Sequence, residues 1–228
     1  MNVGYILLLL GLVELTFGLL LIIQRRKEST ALWFGMFIIS VAIYVIANGL
    51  GYLHLFINQS QAEHIAWTSG ALIATFILPF SFSYPYPRKQ FTELILLVIW
   101  PIIIFVPGVL WTNAFIQQKA IDNFGNGYIS KTGVYFPLYM VFFIGYWAWA
   151  LLNLFISINK SDGVQKRQLI IFCVGTALSL LLSSYFDLYK PLNDSTRFGY
   201  IGSLCTGLWF GFIGYIMLSK ENKKLIKN

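Results

Sequence analysis

The chain has 228 residues, 57% of them apolar and only 11% charged, with a formal net charge of +7. Such a composition leaves little room for a soluble domain and marks an integral membrane protein. The positive charge does not point to nucleic acid, because the basic residues cluster between apolar runs, where membrane topology explains them.

The first predicted span runs from Val3 to Gln24 and is closed by Arg25, Arg26 and Lys27. No basic stretch precedes it, which argues against a cleaved secretory signal. The second span runs from Ala31 to Phe56, and the polar segment Ile57 to Glu63 leads into the third. That third span, Ile65 to Ser83, carries no charge, and at ~1.5 Å per residue it measures about 29 Å, the thickness of a bilayer's hydrocarbon core. Trp67 at one edge and Tyr84, Tyr86, Arg88 and Lys89 at the other are membrane-interface anchors. The bundle is expected to pack around this span. The fourth span, Phe91 to Trp111, contains Pro101 and Pro107, and a long loop follows, Thr112 to Gly133, with the turn-rich Asn123-Phe-Gly-Asn-Gly127. Span five runs from Val134 to Ile158, span six from Leu169 to Leu188 and span seven from Gly199 to Leu218, with a basic tail from Ser219 to Asn228. Cys173 and Cys205 fall inside spans six and seven and read as small apolar packing residues. The expected fold is all-α, an integral membrane bundle of seven helices.

Lys and Arg are unevenly divided between the two sides of such a bundle. One side has Arg25, Arg26, Lys27, Arg88, Lys89, Lys160, Lys166, Arg167, Lys220, Lys223, Lys224 and Lys227; the other has Lys119, Lys131, Lys190 and Arg197. The positive-inside rule puts the richer side in the cytoplasm of a cell-membrane protein, leaving the N-terminus outside and the C-terminus inside.

A few residues break the apolar pattern. Glu14 lies near the middle of span one, where a carboxylate is costly and is expected neutral or hydrogen-bonded and facing the bundle. Gly4, Gly11 and Gly18 share its helical face, so Glu14 is expected at a tight helix contact, as a ligand or proton site or as an interhelical hydrogen bond. Thr176, Ser179, Ser183 and Asp187 form a stripe on span six. Either these hydroxyls bond their own helix, with Asp187 solvated, or they line a pocket opening outward. Arg197 could pair with Asp187, and Asn48 and His54 on span two could border the same pocket. His54, His64 and Glu63 are too few and too irregular for a metal site. Gly199, Ser203, Gly207 and Gly211 form a small-residue ridge on span seven. Pro79 is expected to kink span three. Tyr146, Trp147 and Trp149 are expected to pack or to sit near an interface.

No predicted span contains lysine, which excludes a retinal Schiff base, and no hydrolase, zinc-protease or phosphate-loop motif occurs. The chain is therefore not read as an enzyme, and no cofactor or metal is expected. Neither half repeats the other, unlike many small transporters.

Three segments carry a resemblance. They are His64-Ile-Ala-Trp67 through Gly70 and Leu78-Pro79 to Ser83-Tyr84-Pro85; Asp162-Gly-Val-Gln-Lys-Arg-Gln168 with Leu169 through Gly175; and Arg197-Phe-Gly199 through Gly214-Tyr215-Ile-Met-Leu218. In order and spacing the chain resembles the N-terminal seven-helix sensor region of bacterial membrane histidine kinases. The resemblance implies a non-catalytic sensor whose basic loop before span six and whose exit from span seven face a kinase, in the same chain or a separate one, and which works as a homodimer. In that family the catalytic histidine and the ATP-binding domain follow span seven, and a piece of a longer kinase and a stand-alone relative both remain open.

The expectation is a receptor-like module in the bilayer. A small-molecule or lipid signal would bind among Glu14, Asn48, His54, Thr176, Ser179, Ser183, Asp187 and Arg197 and bias a cytoplasmic kinase through span seven. The alternatives are a small solute transporter using Glu14 as a proton or cation site, and a structural partner that docks another protein on the Gly199–Gly211 ridge.

Overall fold

The computed structural model describes residues 3–25, 28–57, 59–85, 87–111, 116–121, 128–189 and 199–218. Side chains are described for these residues apart from 59, 60, 109–111, 116–121, 128–132, 164, 187–189, 199 and 214–218. Among the described residues seven helices build the protein: α1 Val3–Gln24, α2 Ser29–Leu53, α3 Gln59–Ser83, α4 Phe91–Trp111, α5 Phe136–Asn159, α6 Gly163–Ser183 and α7 Gly199–Leu218. Six contain stretches long and apolar enough to cross a bilayer, and α7 holds a shorter apolar stretch, Tyr200–Ile213. In hydrocarbon only a helix satisfies its own backbone within one segment, which is why apolar runs of this length fold this way.

Helix ends differ from the apolar boundaries, for physical reasons. α2 stops at Leu53, not Phe56, because His54 adopts a left-handed conformation (φ 52°, ψ 34°). Its N–H and that of Leu55 then close back onto the carbonyls of Gly51 and Leu50, a Schellman-type stop. α3 starts at Gln59 and α6 at Gly163, six residues before the apolar stretches Ile65 and Leu169. Hydropathy reports the solvent around a residue, whereas these helices continue as polar turns beyond the hydrocarbon. α6 runs on as a π-helical turn, Ser184–Tyr189. The expected loop between α4 and α5 holds a two-stranded antiparallel hairpin, β1 Ile116–Ile121 with β2 Tyr128–Thr132, with an irregularity between Lys119 and Ile121. A turn-rich segment between two short strands is a hairpin signal; the turn itself, Asn123–Gly127, lies outside the described residues, as does the tail from Ser219.

α3 is the most enclosed helix and packs against α2, α4 and α5. α1 packs against α2 and α7, and α6 joins α5 to α7. The α3–α5 side is an aromatic core. Phe105 stacks on Phe142 at 4.3 Å, Tyr139 lies between Trp67 and Phe105, and Tyr146 donates to the carbonyl of Leu97 at 3.0 Å. Trp147 meets Phe37 edge-on, and Trp149 meets Phe82. α3 is helical through Pro79.

The α1–α2 side is built from glycine. A Cβ on Gly11 would lie 2.5 Å from Ile46 and 3.1 Å from the carbonyl oxygen of Ala42; one on Gly18 would lie 2.7 Å from Ile39 and 3.0 Å from that of Gly35. The two backbones meet more closely than any side chain allows. The ridge of α7 is used in the same way: Gly207 faces Leu10 and Val45, and Gly211 faces Glu14. Gly207 and Gly211 are thus covered by α1 and α2 of this same chain, and not left free to dock another protein. The side of Gly199 lies outside the described residues.

Candidate functional site

α1 buries one narrow face: Gly4, Leu7, Gly11, Glu14, Gly18 and Leu21. Glu14 stands between Gly11 and Gly18, where α1 and α2 touch too closely to hold a side chain. Its chain is directed to the junction with α7, where its Cγ lies 3.7 Å from the Cβ position of Gly211. The residue is 0% exposed and neither carboxyl oxygen has a hydrogen-bond partner. An unpartnered carboxyl buried among apolar helices carries a cost on the order of 1 kcal/mol.

The other candidate residues fall into separate groups. Gly49 faces Gly4 and Leu7, which puts neighbouring Asn48 roughly 9–13 Å along α2 from the level of Glu14, at ~1.5 Å per residue. The Asn48 amide donates to the carbonyl of Tyr44 in its own helix. His54 is exposed and closes α2. On α6, Thr176 and Ser183 of the stripe meet α7. Thr176 accepts from Trp209 Nε1 at 3.3 Å, and Ser183 donates to the carbonyl of Gly202 at 3.2 Å and shares a short hydrogen bond with the hydroxyl of Thr206. Ser179 and Ser203 are buried with unpartnered hydroxyls. Trp209 and Gly211 project about 200° apart around α7, so this seam and Glu14 lie on opposite flanks of one helix. The side chain of Asp187 and all of Arg197 lie outside the described residues. Among the described residues no group of three His, Cys, Asp or Glu could hold a metal ion.

A polar network at the basic ends of the helices was not anticipated. Arg88 Nη2 donates to Ser157 Oγ at 2.7 Å, and Ser157 donates to the carbonyl of Asn153. Asn153 Nδ2 donates to Ser81 Oγ at 3.2 Å, and Thr30 donates to the carbonyl of Ser83 at 2.9 Å. These bonds tie α2, α3, α5 and the α3–α4 connection together. Asn153, Ser157 and Ser161 at four-residue spacing were the available signal, the same kind that singled out α6.

Among the described residues, seven helices, six of them plainly long enough to span, with their charged residues at the ends and one carboxyl inside, define a multi-pass helical membrane protein. The family model described as the N-terminal 7TM region of histidine kinase matches residues 6–217, and the chain belongs to that family. It is therefore a membrane sensor module of the histidine-kinase type, and the region matched is the sensor region and not a catalytic domain. A comparison with the curated proteins finds none that matches.

Proposed function

We propose that this module senses a signal at the α1–α2–α7 junction and relays it through α7 to a histidine kinase, in the same chain or in a partner. The observation that carries this reading is the buried, unpartnered carboxyl of Glu14 set against Gly211 of α7. α7 is the helix whose C-terminal end leads toward the output in this family. A ligand that supplies the missing partner stabilises one arrangement of α7 over another, and an equilibrium shifts only by such a difference in affinity. The basic ends of the helices are assigned to the cytoplasm by the positive-inside rule.

The test joins α7, in the register of the family, to the dimerising and catalytic part of a histidine kinase and follows autophosphorylation in membrane vesicles. Glu14→Gln is expected to change the basal phosphorylation level, while Asn48→Ala leaves it near wild type. Identical phosphorylation in wild type and Glu14→Gln would remove the relay. The rival reading, a transporter that uses Glu14 as a proton or cation site, requires flux in reconstituted vesicles that Glu14→Gln abolishes.

A further inference from the structure

Three features meet at one height in the bundle. The first is the Glu14 carboxyl, wholly buried, with both oxygens unpartnered. The helices around it, α1, α2 and α7, bring no other charged residue. The second is a change in packing along α7. At Gly207 a Cβ would collide with Leu10 at 2.5 Å, whereas one turn on, at Gly211, a Cβ would meet only Glu14 Cγ, at an ordinary 3.7 Å. The helices are shut at Gly207 and slack at Gly211, beside the carboxyl. The third is the outer lip of this seam. Val13, next to Glu14, is 40% exposed, Phe212, next to Gly211, is 52% exposed, and Leu208 is 63% exposed. In a bilayer these three side chains lie against acyl chains, so the carboxyl sits one helical position from the lipid.

We propose that the α1–α7 seam is a lateral port for a membrane-dissolved amphiphile whose head is a hydrogen-bond donor, an amine or an alcohol, received by Glu14 over Gly211. This deepens the sensing role proposed above and rests on it for its purpose, but not for its binding chemistry. The carboxyl offers acceptor oxygens with no partner, and an ammonium head would bring the charge that a buried carboxylate needs, so donor heads are accepted, ammonium most strongly, while a carboxylate head brings no donor. The slack at Gly211 admits a small head, and the lipid-facing lip leaves the alkyl tail where it already resides, so only the head changes environment.

The experiment uses the full chain in lipid nanodiscs, with thermal unfolding followed by aromatic circular dichroism while dodecylamine, dodecanol or dodecanoate is added. Dodecylamine, dodecanol or both are expected to raise the unfolding temperature of the wild type, and dodecanoate is not. A preference for dodecylamine assigns an ammonium, and equal effects assign a neutral donor. In Glu14→Gln the concentration for half-effect should rise about tenfold or more, as expected when a charge-assisted hydrogen bond is lost. Gly211→Ala, whose methyl the structure accommodates, should unfold like the wild type without probe and respond more weakly with it. Equal stabilisation of wild type and Glu14→Gln, an equal effect of dodecanoate, or no effect of either donor would overturn the port. Donor binding that depends on Glu14 while the kinase fusion stays indifferent to Glu14 would retain the port and remove the sensing role. A Glu14-dependent kinase fusion without donor binding would do the reverse.

Discussion

The α3–α5 contact and the junction of α1 with α2 and α7 are built on opposite rules. Across the first, side chains interlock and are paired: Tyr139 donates to the carbonyl of Trp67 at 2.9 Å, and Asn153 reaches Ser81. Aromatic rings fill the space between, Trp67 against Phe136 and Tyr139, and Phe82 against Trp149. Across the second, backbones close over glycine, and the one carboxyl that enters the contact finds no partner. An interlocked contact whose facing hydroxyls and amides are paired favours one arrangement. A contact of small residues around an unmet polar group can be stabilised further by whatever supplies the partner. The sensing role proposed above would make the α1 junction the responsive part of the bundle and the α3–α5 contact its scaffold.

The strongest way to break this contrast is through the glycine seam. Gly11→Leu should lower stability by about 3 kcal/mol or more, because α1 and α2 must separate to admit the side chain. Gly145→Leu on α5, where a Cβ meets nothing within 4 Å, should leave it near wild type. Unfolding in mixed micelles on titration with sodium dodecyl sulfate reads both. On the paired side, Tyr139→Phe should cost about 1 kcal/mol in the same titration, by removing a buried hydrogen bond. Asn153→Ala should cost less, about 0.6 kcal/mol, the usual worth of a polar contact between membrane helices. The smallest effect on stability, and the sharpest test of the contrast, belongs to Glu14→Met. This change removes two unmet oxygens at similar volume, so stability should stay level or rise by up to about 1 kcal/mol. A loss of several kcal/mol would mean that the carboxyl has a structural partner, and the two contacts would no longer differ in kind.

Much of this architecture was legible from the residues. Apolar length and the placement of Lys and Arg indicate seven helices, and the Gly4–Gly11–Gly18 spacing indicates which face of α1 meets a neighbour. The direction of Glu14 was legible too, since it shares that face. Three things were not. Which helix each small-residue face meets depends on the order of helices in the bundle, and periodicity does not carry that order: the α7 ridge proved to be internal. The candidate pocket joined residues that share polarity and a side of the membrane, yet Asn48 lies well along α2 from Glu14 and the α6 stripe is turned to the other flank of α7. The network at Arg88 was hidden because a cation near a span end is fully explained by topology, which drew attention away from Ser157. Helix ends were misjudged at Leu53 for another reason: a left-handed histidine stops α2, and histidine carries no sequence mark for that conformation.

The claim that matters most is that the Glu14 junction sets the position of α7 relative to α2. It is tested by the distance between spin labels at residues 29 and 218, on the basic ends of these helices, in nanodiscs, with Cys173 and Cys205 replaced by alanine. The account predicts that Glu14→Gln moves this distance by about 1–2 Å, the scale of helix shifts in signalling transitions, while Tyr139→Phe leaves it unchanged. Superimposable distances in wild type and Glu14→Gln, or a shift in Tyr139→Phe alone, would contradict it.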